Sequence, residues 1–273
     1  MKKILIIAII SIIGSANALA QGPETLLLPD NAVSTAMGGV RQAIETHDNT
    51  FGVNANLSMW APKMMNSKVF GLKAYYCVSP SFELNLEGGM VNGLPYEMSD
   101  ELGGYSESFT PRDFAAKLGA SYKLAAGLSF GAKVTYLRSS LAKETGLNTF
   151  GIDAAVQYRK NGLKAEIGAC NLASPVALGK ADVSYSIAGF TAAAEFDYLF
   201  KGGMMAGVGA EYTIAKIASI RAGYHYGNEE KAIPSYVSAG LGFKFAGVHI
   251  DAAYIIYKAP LAGTISASLG YSF

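Results

Sequence analysis

The feature that most constrains this chain is a two-residue alternation of apolar with small or polar side chains, repeated in one segment after another. In residues 264–273, Ile, Ala, Leu, Tyr and Phe occupy one parity, whereas Thr, Ser and Gly occupy the other. Successive side chains point to opposite faces of a β-strand, so each segment has one apolar face and one small, polar face. The alternation therefore predicts an all-β fold.

Nearly every charged residue in these segments lies on the polar parity. These residues are Lys117, Lys133, Asp153, Lys164, Glu166, Glu195, Asp197, Glu211, Arg221, Lys244 and Asp251. A secreted soluble β-protein, the alternative, also alternates but points its apolar face inward. Here the apolar face often ends in Tyr or Phe, as an aromatic girdle does, and the polar face is rich in Gly and Ser. A Lys or Arg facing the middle of a bilayer costs roughly 2 to 4 kcal/mol, so this charge placement predicts a transmembrane antiparallel β-barrel.

The connections between the segments indicate the number of strands. Short turns alternate with longer or more polar connections, as periplasmic turns and outer loops do in outer-membrane barrels. Thirteen strands are recognisable between about residue 68 and residue 273. Because an even number is the rule for such barrels, we expect a fourteenth strand upstream, around residues 53–60. Twelve strands are the alternative.

The first twenty residues are typical of a signal peptide. Two lysines precede an apolar run over residues 4–13, and Ala18-Leu19-Ala20 is an A-x-A site that predicts cleavage after residue 20. Beyond this run, no apolar stretch reaches the roughly 18 residues that a membrane helix needs. Signal and alternation together predict export to the outer membrane of a Gram-negative bacterium, with residues 53–273 as the barrel.

Residues 21–52 show no sustained alternation and carry many small and apolar side chains. Fourteen strands enclose more space than their side chains fill, since about eight strands already form a packed interior. We predict that residues 21–52 form a hatch, with residues 29–56 entering the lumen from the periplasmic side and blocking it. Asp30-Asn31 is expected to cap a short helical turn that runs through Ala36. A disordered periplasmic tail is the alternative.

Composition and motifs argue against several classes of function. The formal net charge of +1 offers no electrostatic case for nucleic-acid binding. Two cysteines exclude a disulfide scaffold, and three histidines leave little material for a metal site. The sequence has no H-E-x-x-H, G-x-S-x-G or phosphate-loop motif. We therefore predict a non-enzymatic protein without a cofactor, because the alternative, a barrel enzyme, lacks a recognisable nucleophile–base pair.

Two histidines share the lumen parity with a group of charged residues. Such a group is either a catalytic or metal constellation or an ion-pair network that satisfies buried charge, and we favour the network. Its predicted members are Glu195, Asp197, Glu211, Arg221, His225, Lys244, His249 and Asp251.

The last predicted strand ends on an aromatic residue. Tyr271 and Phe273 close an alternating apolar segment, which looks like the signal that the barrel-assembly machinery reads during insertion. We therefore expect Phe273 to be needed for insertion, with that machinery and outer-membrane lipid as partners of the chain.

Several short motifs resemble, in order, those of the PorV/PorQ family of outer-membrane barrels, which are small relatives of the FadL fatty-acid transporter fold. Ser34-Thr35-Ala36-Met37-Gly38-Gly39-Val40 resembles the family's A-x-x-x-G-G-A-G, and Asn54-Ala55-Asn56-Leu57 stands where the family carries N-P-A-L. Gly209-Ala210-Glu211-Tyr212 and Ile220-Arg221-Ala222-Gly223-Tyr224 resemble its G-a-E-Y and l-R-a-G-Y motifs. The resemblance makes Met37, Gly38, Gly39 and Asn54 residues of a hatch motif.

The resemblance implies a role in or near type IX protein secretion, with secretion-system proteins as partners. The alternative is a FadL-like conduit for a hydrophobic small molecule, plugged by the N-terminal segment. Residues of the lumen parity are mostly Gly, Ser, Lys, Glu and Asp, which favours the secretion role. An apolar pocket inside the barrel would favour the conduit instead.

Overall fold

The computed structural model describes residues 22–62, 66–98, 107–142, 145–227, 233–256 and 261–273. The predicted signal peptide, residues 1–20, lies outside the described residues. Across the described ranges, no helix has the length and apolar character needed to cross a membrane.

Sixteen strands are present in the described part of the chain, and fourteen of them form the wall of a closed barrel. Their bounds are β1 (Phe51–Trp60), β2 (Ser67–Cys77), β3 (Phe82–Asn92), β4 (Tyr96–Met98), β5 (Glu107–Phe109), β6 (Arg112–Lys123), β7 (Leu128–Ala142), β8 (Thr145–Lys160), β9 (Leu163–Leu172), β10 (Leu178–Ile187), β11 (Phe190–Leu199), β12 (Met204–Ile214), β13 (Ala218–Tyr226), β14 (Tyr236–Phe245), β15 (Val248–Ile255) and β16 (Ile265–Ser272). Strands β4 and β5 form a separate hairpin in the connection from β3 to β6.

The wall strands pair antiparallel with their neighbours in chain order, and β1 pairs with β16 to close the barrel. The fourteenth strand predicted around residues 53–60 is β1. Strand β1 also pairs with β2 along its whole length, from Phe51 opposite Tyr76 to Trp60 opposite Ser67. The predicted fourteen-stranded antiparallel barrel is therefore confirmed.

The two ends of the barrel differ in their connections. At one end, here called the turn end, residues 161–162, 188–189 and 246–247 join strands with positive φ at both positions. Two-residue hairpins of this kind need such angles, because their twist then matches that of the strands. The opposite end, here called the loop end, carries longer connections, including residues 93–111 between β3 and β6.

Apolar side chains cover the outside of the wall, and polar side chains point inward. Ile167 is 68% exposed and Leu118 is 62% exposed, whereas the adjacent inward residue Glu166 is 4% exposed. A soluble barrel has the opposite distribution, so this arrangement is that of a membrane-spanning barrel. The inverted barrel predicted from charge placement is confirmed.

Residues 22–50 lie inside the barrel and are called the hatch below. They contain a 3₁₀ helix (Pro23–Leu27) and one short helix, α1 (Ala32–Ala36). The side chain of Asn31 accepts a hydrogen bond from the Ser34 amide at 2.8 Å, so the predicted helix cap is present.

The hatch runs from the loop-end half of the lumen to the turn end. Its Gly22 amide donates to Asp113 at 2.8 Å near the start of β6, and its Thr50 amide donates to the Phe273 carbonyl at 2.9 Å. The prediction that residues 29–56 enter the lumen needs a correction, because strand β1 begins at Phe51. Residues 51–56, including Asn54, belong to the wall because their backbone groups complete the ladders with β2 and β16.

Candidate functional site

The hatch backbone crosses the wall over glycines that face the lumen. A Cβ on Gly207 would lie 2.6 Å from the Gly38 carbonyl oxygen, and one on Gly209 would lie 2.6 Å from the Met37 carbonyl oxygen. A Cβ on Gly223 would collide with the backbone of both Met37 and Gly38. The small residues of the lumen parity therefore form a smooth track on which the hatch lies.

The predicted hatch motif occupies the centre of this contact. Gly38 and Gly39 have φ values of +73° and +85°, a left-handed conformation that favours glycine. A Cβ on Gly38 would also lie 2.6 Å from the Val208 carbonyl oxygen. Both the conformation and the close approach require glycine here, which is the physical meaning of the motif.

His225 contacts the hatch rather than a charged partner. Its Nδ1 lies 3.1 Å from the carbonyl oxygen of Gly38, and its ring stacks on Tyr236 with the ring centroids 4.9 Å apart. Within the described residues, the buried His225 Nε2 and the Tyr236 hydroxyl have no hydrogen-bond partner. His225 therefore anchors the hatch motif to strand β13.

A first charged cluster joins strands β10 and β11 to the hatch. The buried Lys180 ammonium lies 2.6 Å from Glu195 and 3.1 Å from Asp197. Glu195 also accepts a hydrogen bond from the Arg41 amide of the hatch at 2.6 Å. Glu195 and Asp197 were predicted from the sequence, but their shared partner Lys180 was not.

A second charged cluster lies on strands β12, β13 and β15. Arg221 donates to Asp251 at 2.7 Å and also bonds Glu211. All three were predicted as network members. They satisfy one another within the wall, which is what buried charges need to avoid an uncompensated desolvation cost.

The remaining predicted residues lie near the turn end. His249 Nε2 is 3.4 Å from the side-chain amide nitrogen of Asn54. Asn54 is the wall residue that the family resemblance assigned to the hatch motif. Lys244 is exposed and lies opposite His249 in the strand register. The eight predicted lumen residues thus occupy separate clusters around the wall.

Sequence reasoning missed the ion pairs that hold the hatch to strand β2. Lys73 lies 2.5 Å from Asp30 and 2.8 Å from Glu45, both on the hatch. Burial by itself raises the pKa of the Asp30 carboxyl, but the charge and hydrogen bond of Lys73 outweigh it and lower the pKa to about 2. The alternation in β2 places Lys73 in the lumen, but its acidic partners lie in a segment without periodicity.

Wall carboxylates also accept hydrogen bonds from hatch amides that have no helical or strand partner. Buried backbone amides require such acceptors, and four inward carboxylates supply them. The pairs are Gly22 with Asp113 at 2.8 Å, Arg41 with Glu195 at 2.6 Å, Ala43 with Glu166 at 2.5 Å, and His47 with Glu83 at 2.8 Å.

An apolar core lies at the loop end of the lumen. Its buried residues come from the 3₁₀ helix of the hatch and from the loop-end parts of the strands and connections. They include Leu26, Leu27, Leu28, Trp60, Leu137, Val176, Leu178, Leu199, Met205, Ile233, Tyr236, Ile255 and Leu261. The lumen was expected to be mostly polar; it contains this apolar core as well, with the buried Lys180 cluster and Asp113 beside it.

A cavity of about 100 Å³ lies between the hatch and strands β2, β3, β6 and β7. Leu26, Leu28, Val69 and Leu137 contribute apolar walls. Charged residues also line it: Asp30, Arg41, Lys73, Glu87, Asp113 and Lys117. For comparison, a cavity of roughly 150 Å³ lined by apolar side chains binds benzene in another protein. The cavity is thus of the size class of a single aromatic ring.

The predicted insertion signal lies at the turn end of β16. Tyr271 and Phe273 are exposed on the outside of the barrel, with ring centroids 6.0 Å apart. The Phe273 carbonyl accepts hydrogen bonds from Thr50 and Phe51, so the chain end is tied to the start of β1. Recognition by the assembly machinery stays a prediction.

Comparisons with known proteins identify the fold. No family model matches the chain, and the comparison with curated proteins also finds no match.

Among the described residues, no group of three or more His, Cys, Asp or Glu side chains is placed to hold a metal ion.

Solved structures of similar fold include two toluene transporters. The P. putida transporter TodX shares 12% sequence identity at a TM-score of 0.63, covering 90% of this chain and 98% of TodX. The Ralstonia pickettii transporter TbuX shares 13% identity at a TM-score of 0.60, covering 90% of this chain and 98% of TbuX. The chain therefore has the FadL-like fourteen-stranded barrel fold, whereas the PorV/PorQ resemblance stays a prediction.

Proposed function

We propose that this protein is a non-enzymatic, FadL-like conduit for hydrophobic small molecules in the outer membrane. The observation that carries the proposal is the cavity between the hatch and the wall, which adjoins the apolar core of a plugged lumen. The turn end would face the periplasm, because outer-membrane barrels have their short turns there. Export would follow from the signal peptide predicted over residues 1–20.

The division of the lumen suggests a route. A hydrophobic molecule entering from the loop end meets apolar side chains and is held in the cavity beside Leu26 and Leu137. Beyond it, the hatch and its charged partners fill the lumen, so passage requires the hatch to move. Each hatch hydrogen bond contributes only about 0.5 to 3 kcal/mol, which makes a local displacement feasible without unfolding the wall.

The cavity favours small substrates. A volume of about 100 Å³ suits a molecule of about one aromatic ring. The fold neighbours TodX and TbuX are toluene transporters, which supports this size class for the substrate here.

A disulfide between hatch and wall tests whether the hatch must move. A Cβ on Gly131 would lie 3.0 Å from Cγ2 of Ile44, close to the roughly 3 Å between a Cβ and the partner sulfur in an ordinary disulfide. Ile44→Cys with Gly131→Cys is made in a Cys77→Ser, Cys170→Ser background, because both native thiols are free. Uptake of radiolabelled toluene is then measured in cells that carry the variant in their outer membrane.

We expect the oxidised double variant to take up toluene at the rate of cells without the protein, and reduction to restore uptake. The two single-cysteine variants control for the added side chain at each position. Equal uptake in the oxidised and reduced forms, with the disulfide verified by mass spectrometry, would contradict passage past the hatch. No protein-dependent uptake in any form would contradict the conduit itself.

The type IX secretion role implied by the PorV/PorQ resemblance has no family match behind it. Co-purification from native outer membranes tests it directly. Recovery of secretion-system proteins in stoichiometric amounts would favour that role over the conduit, whereas recovery of the assembly machinery alone would report only on insertion.

A further inference from the structure

An open cleft of about 720 Å³ lies at the turn end, between the end of the hatch and strands β6 to β10. Three cationic side chains of the lumen parity line it, Lys123, Arg159 and Lys164, and together they define what is here called the basic cleft. Four hydroxyl groups also line it: Thr46, Ser129, Ser184 and Ser186.

The cations of the basic cleft are poorly neutralised. Within the described residues, the Lys123 ammonium bonds the carbonyl oxygen of His47, and the Lys164 ammonium bonds the side-chain oxygen of Gln42. Both acceptors are neutral. Arg159 pairs with Asp48 at 2.6 Å, but the Asp48 side chain is 72% exposed. The pair has a second contact of 3.3 Å and Asp48 also lines the cleft, so Arg159 has a counter-charge whereas the two lysines bond only neutral acceptors.

The strand register brings two of these cations together. Arg159 on β8 lies directly opposite Lys164 on β9. Like charges in directly opposed positions destabilise a sheet. The wall carboxylate Glu166 offsets part of this repulsion, but within the described residues it forms no ion pair with either cation and accepts hydrogen bonds from the hatch amides of Ala43 and Ile44 and from Gln157.

Other buried cations of the lumen have carboxylate partners. Lys73, Lys133, Lys180 and Arg221 each lie within 2.8 Å of at least one carboxylate oxygen. The basic cleft therefore differs from these four sites: it is an open cavity in which two lysines bond neutral acceptors and one of them lies opposite an arginine.

We propose that the basic cleft binds an anionic phosphate or carboxylate group. Lys123, Lys164 and Arg159 would supply the charge, and the surrounding hydroxyls would donate further hydrogen bonds, as charge-assisted contacts to such oxygens require. A free periplasmic anion and the head group of a membrane lipid share this chemistry. The lipid is sterically accessible because Leu124 and Leu128, which also line the cleft, are exposed on the barrel surface. This site is independent of the proposed conduit.

The test uses the full mature protein purified in a zwitterionic detergent at low salt, titrated with inorganic phosphate by calorimetry. We expect Lys123→Gln with Lys164→Gln to weaken binding by about tenfold or more, since it removes two charge-assisted contacts. Lys123→Arg with Lys164→Arg keeps the charge and should retain binding. Lys244→Gln is the matched control, because Lys244 is an exposed, lumen-parity lysine of the turn end outside the cleft.

A second arm separates the two sources of the anion. The protein is reconstituted with phosphatidylglycerol or with phosphatidylcholine, and the lipid retained after detergent extraction is counted by native mass spectrometry. Phosphate binding without retained phosphatidylglycerol identifies a free anion, and selective retention of phosphatidylglycerol that the glutamine pair abolishes identifies a lipid head group. Heat-modifiable migration verifies that each variant is folded, and Arg159→Gln replaces the glutamine pair if that pair fails to fold. Binding that the substitutions leave unchanged, or binding of neither probe, would overturn the proposal.

Discussion

One hatch fills both halves of the lumen, but different interactions hold it in the two halves. In the loop-end half, leucines of the 3₁₀ helix pack against apolar residues of the wall. In the turn-end half, Lys73 pairs with Asp30 and Glu45 of the hatch, and Glu166 and Glu83 accept hydrogen bonds from hatch amides. Apolar packing is non-directional, whereas ion pairs and hydrogen bonds depend on geometry.

This difference explains how one segment can both plug the barrel and leave room beside it. The directional contacts hold the hatch in one position against the wall. The apolar contacts leave the cavity beside Leu26 and Leu137, which the proposed hydrophobic substrate would fill without displacing the hatch hydrogen bonds of the turn-end half. We propose that the polar contacts hold the hatch in place and that the cavity near the loop end binds the hydrophobic molecule. The predictions below test this division.

The largest expected effect comes from removing the hatch. Deleting residues 22–46 removes both its apolar and its charged contacts and leaves a fourteen-stranded wall whose side chains do not fill the lumen. We expect the deletion variant to conduct ions as a wide pore in planar bilayers, whereas the intact protein stays closed. A closed deletion variant, or an intact protein that already conducts widely, would show that the hatch is not the plug.

Breaking the Lys180 cluster tests the polar contacts beside the apolar core of the loop end. Lys180→Met leaves Glu195 and Asp197 buried without their cation, which we expect to lower the free energy of unfolding by about 3 to 5 kcal/mol. Chemical unfolding in lipid vesicles, followed by tryptophan fluorescence, measures the change. Lys244→Met is the control, because this exposed lysine should alter stability by no more than about 0.5 kcal/mol. Equal effects of the two substitutions would contradict a structural role for the buried cluster.

Enlarging the cavity tests the apolar half. Leu137→Ala removes a buried side chain that lines the cavity, and we expect a loss of about 2 to 5 kcal/mol in the free energy of unfolding. The same change should raise uptake of naphthalene relative to toluene, because the added space accepts a second ring. Lost stability with an unchanged ratio of uptake rates would separate this cavity from the transport route.

The smallest effect concerns the glycine track that supports the hatch. Gly223→Ala places a Cβ against the hatch backbone, and we expect overpacking to cost about 1 to 3 kcal/mol and to raise the frequency of brief channel openings. Gly88→Ala is the matched control, since a Cβ on Gly88 would meet nothing within 4 Å. Similar openings in both variants would argue that the track does not position the hatch.

The barrel could be predicted from the sequence because its signal is local. The alternation at residues 264–273 reports which face each side chain takes, and this needs no knowledge of the partner strand. The same reasoning located β1 from the even-strand rule, and Asn31 as a helix cap from the residue type that accepts amide hydrogen bonds. It placed Glu195, Asp197, Arg221 and Asp251 on the inward side for the same reason.

The partners of those inward residues could not be predicted. Lys180 contacts Glu195 and Asp197 because β10 pairs with β11. These contacts could be deduced from the inward parity of the three residues only if the strand register were known. The pairing of Lys73 with Asp30 and Glu45 is different, because it joins a strand to an irregular segment that lies 43 and 28 residues earlier in the chain. No periodicity connects the two.

The sequence by itself determined the strands and their inward and outward faces. It also showed that the hatch segment, which lacks alternation, is not part of the wall. Only the tertiary structure decided where that segment runs, that the loop end of the lumen holds an apolar core, and that two lysines of the basic cleft bond neutral acceptors. The physical reason is range: the alternation of a strand is set between neighbouring residues, whereas the filling of a closed barrel depends on which side chains meet across its interior.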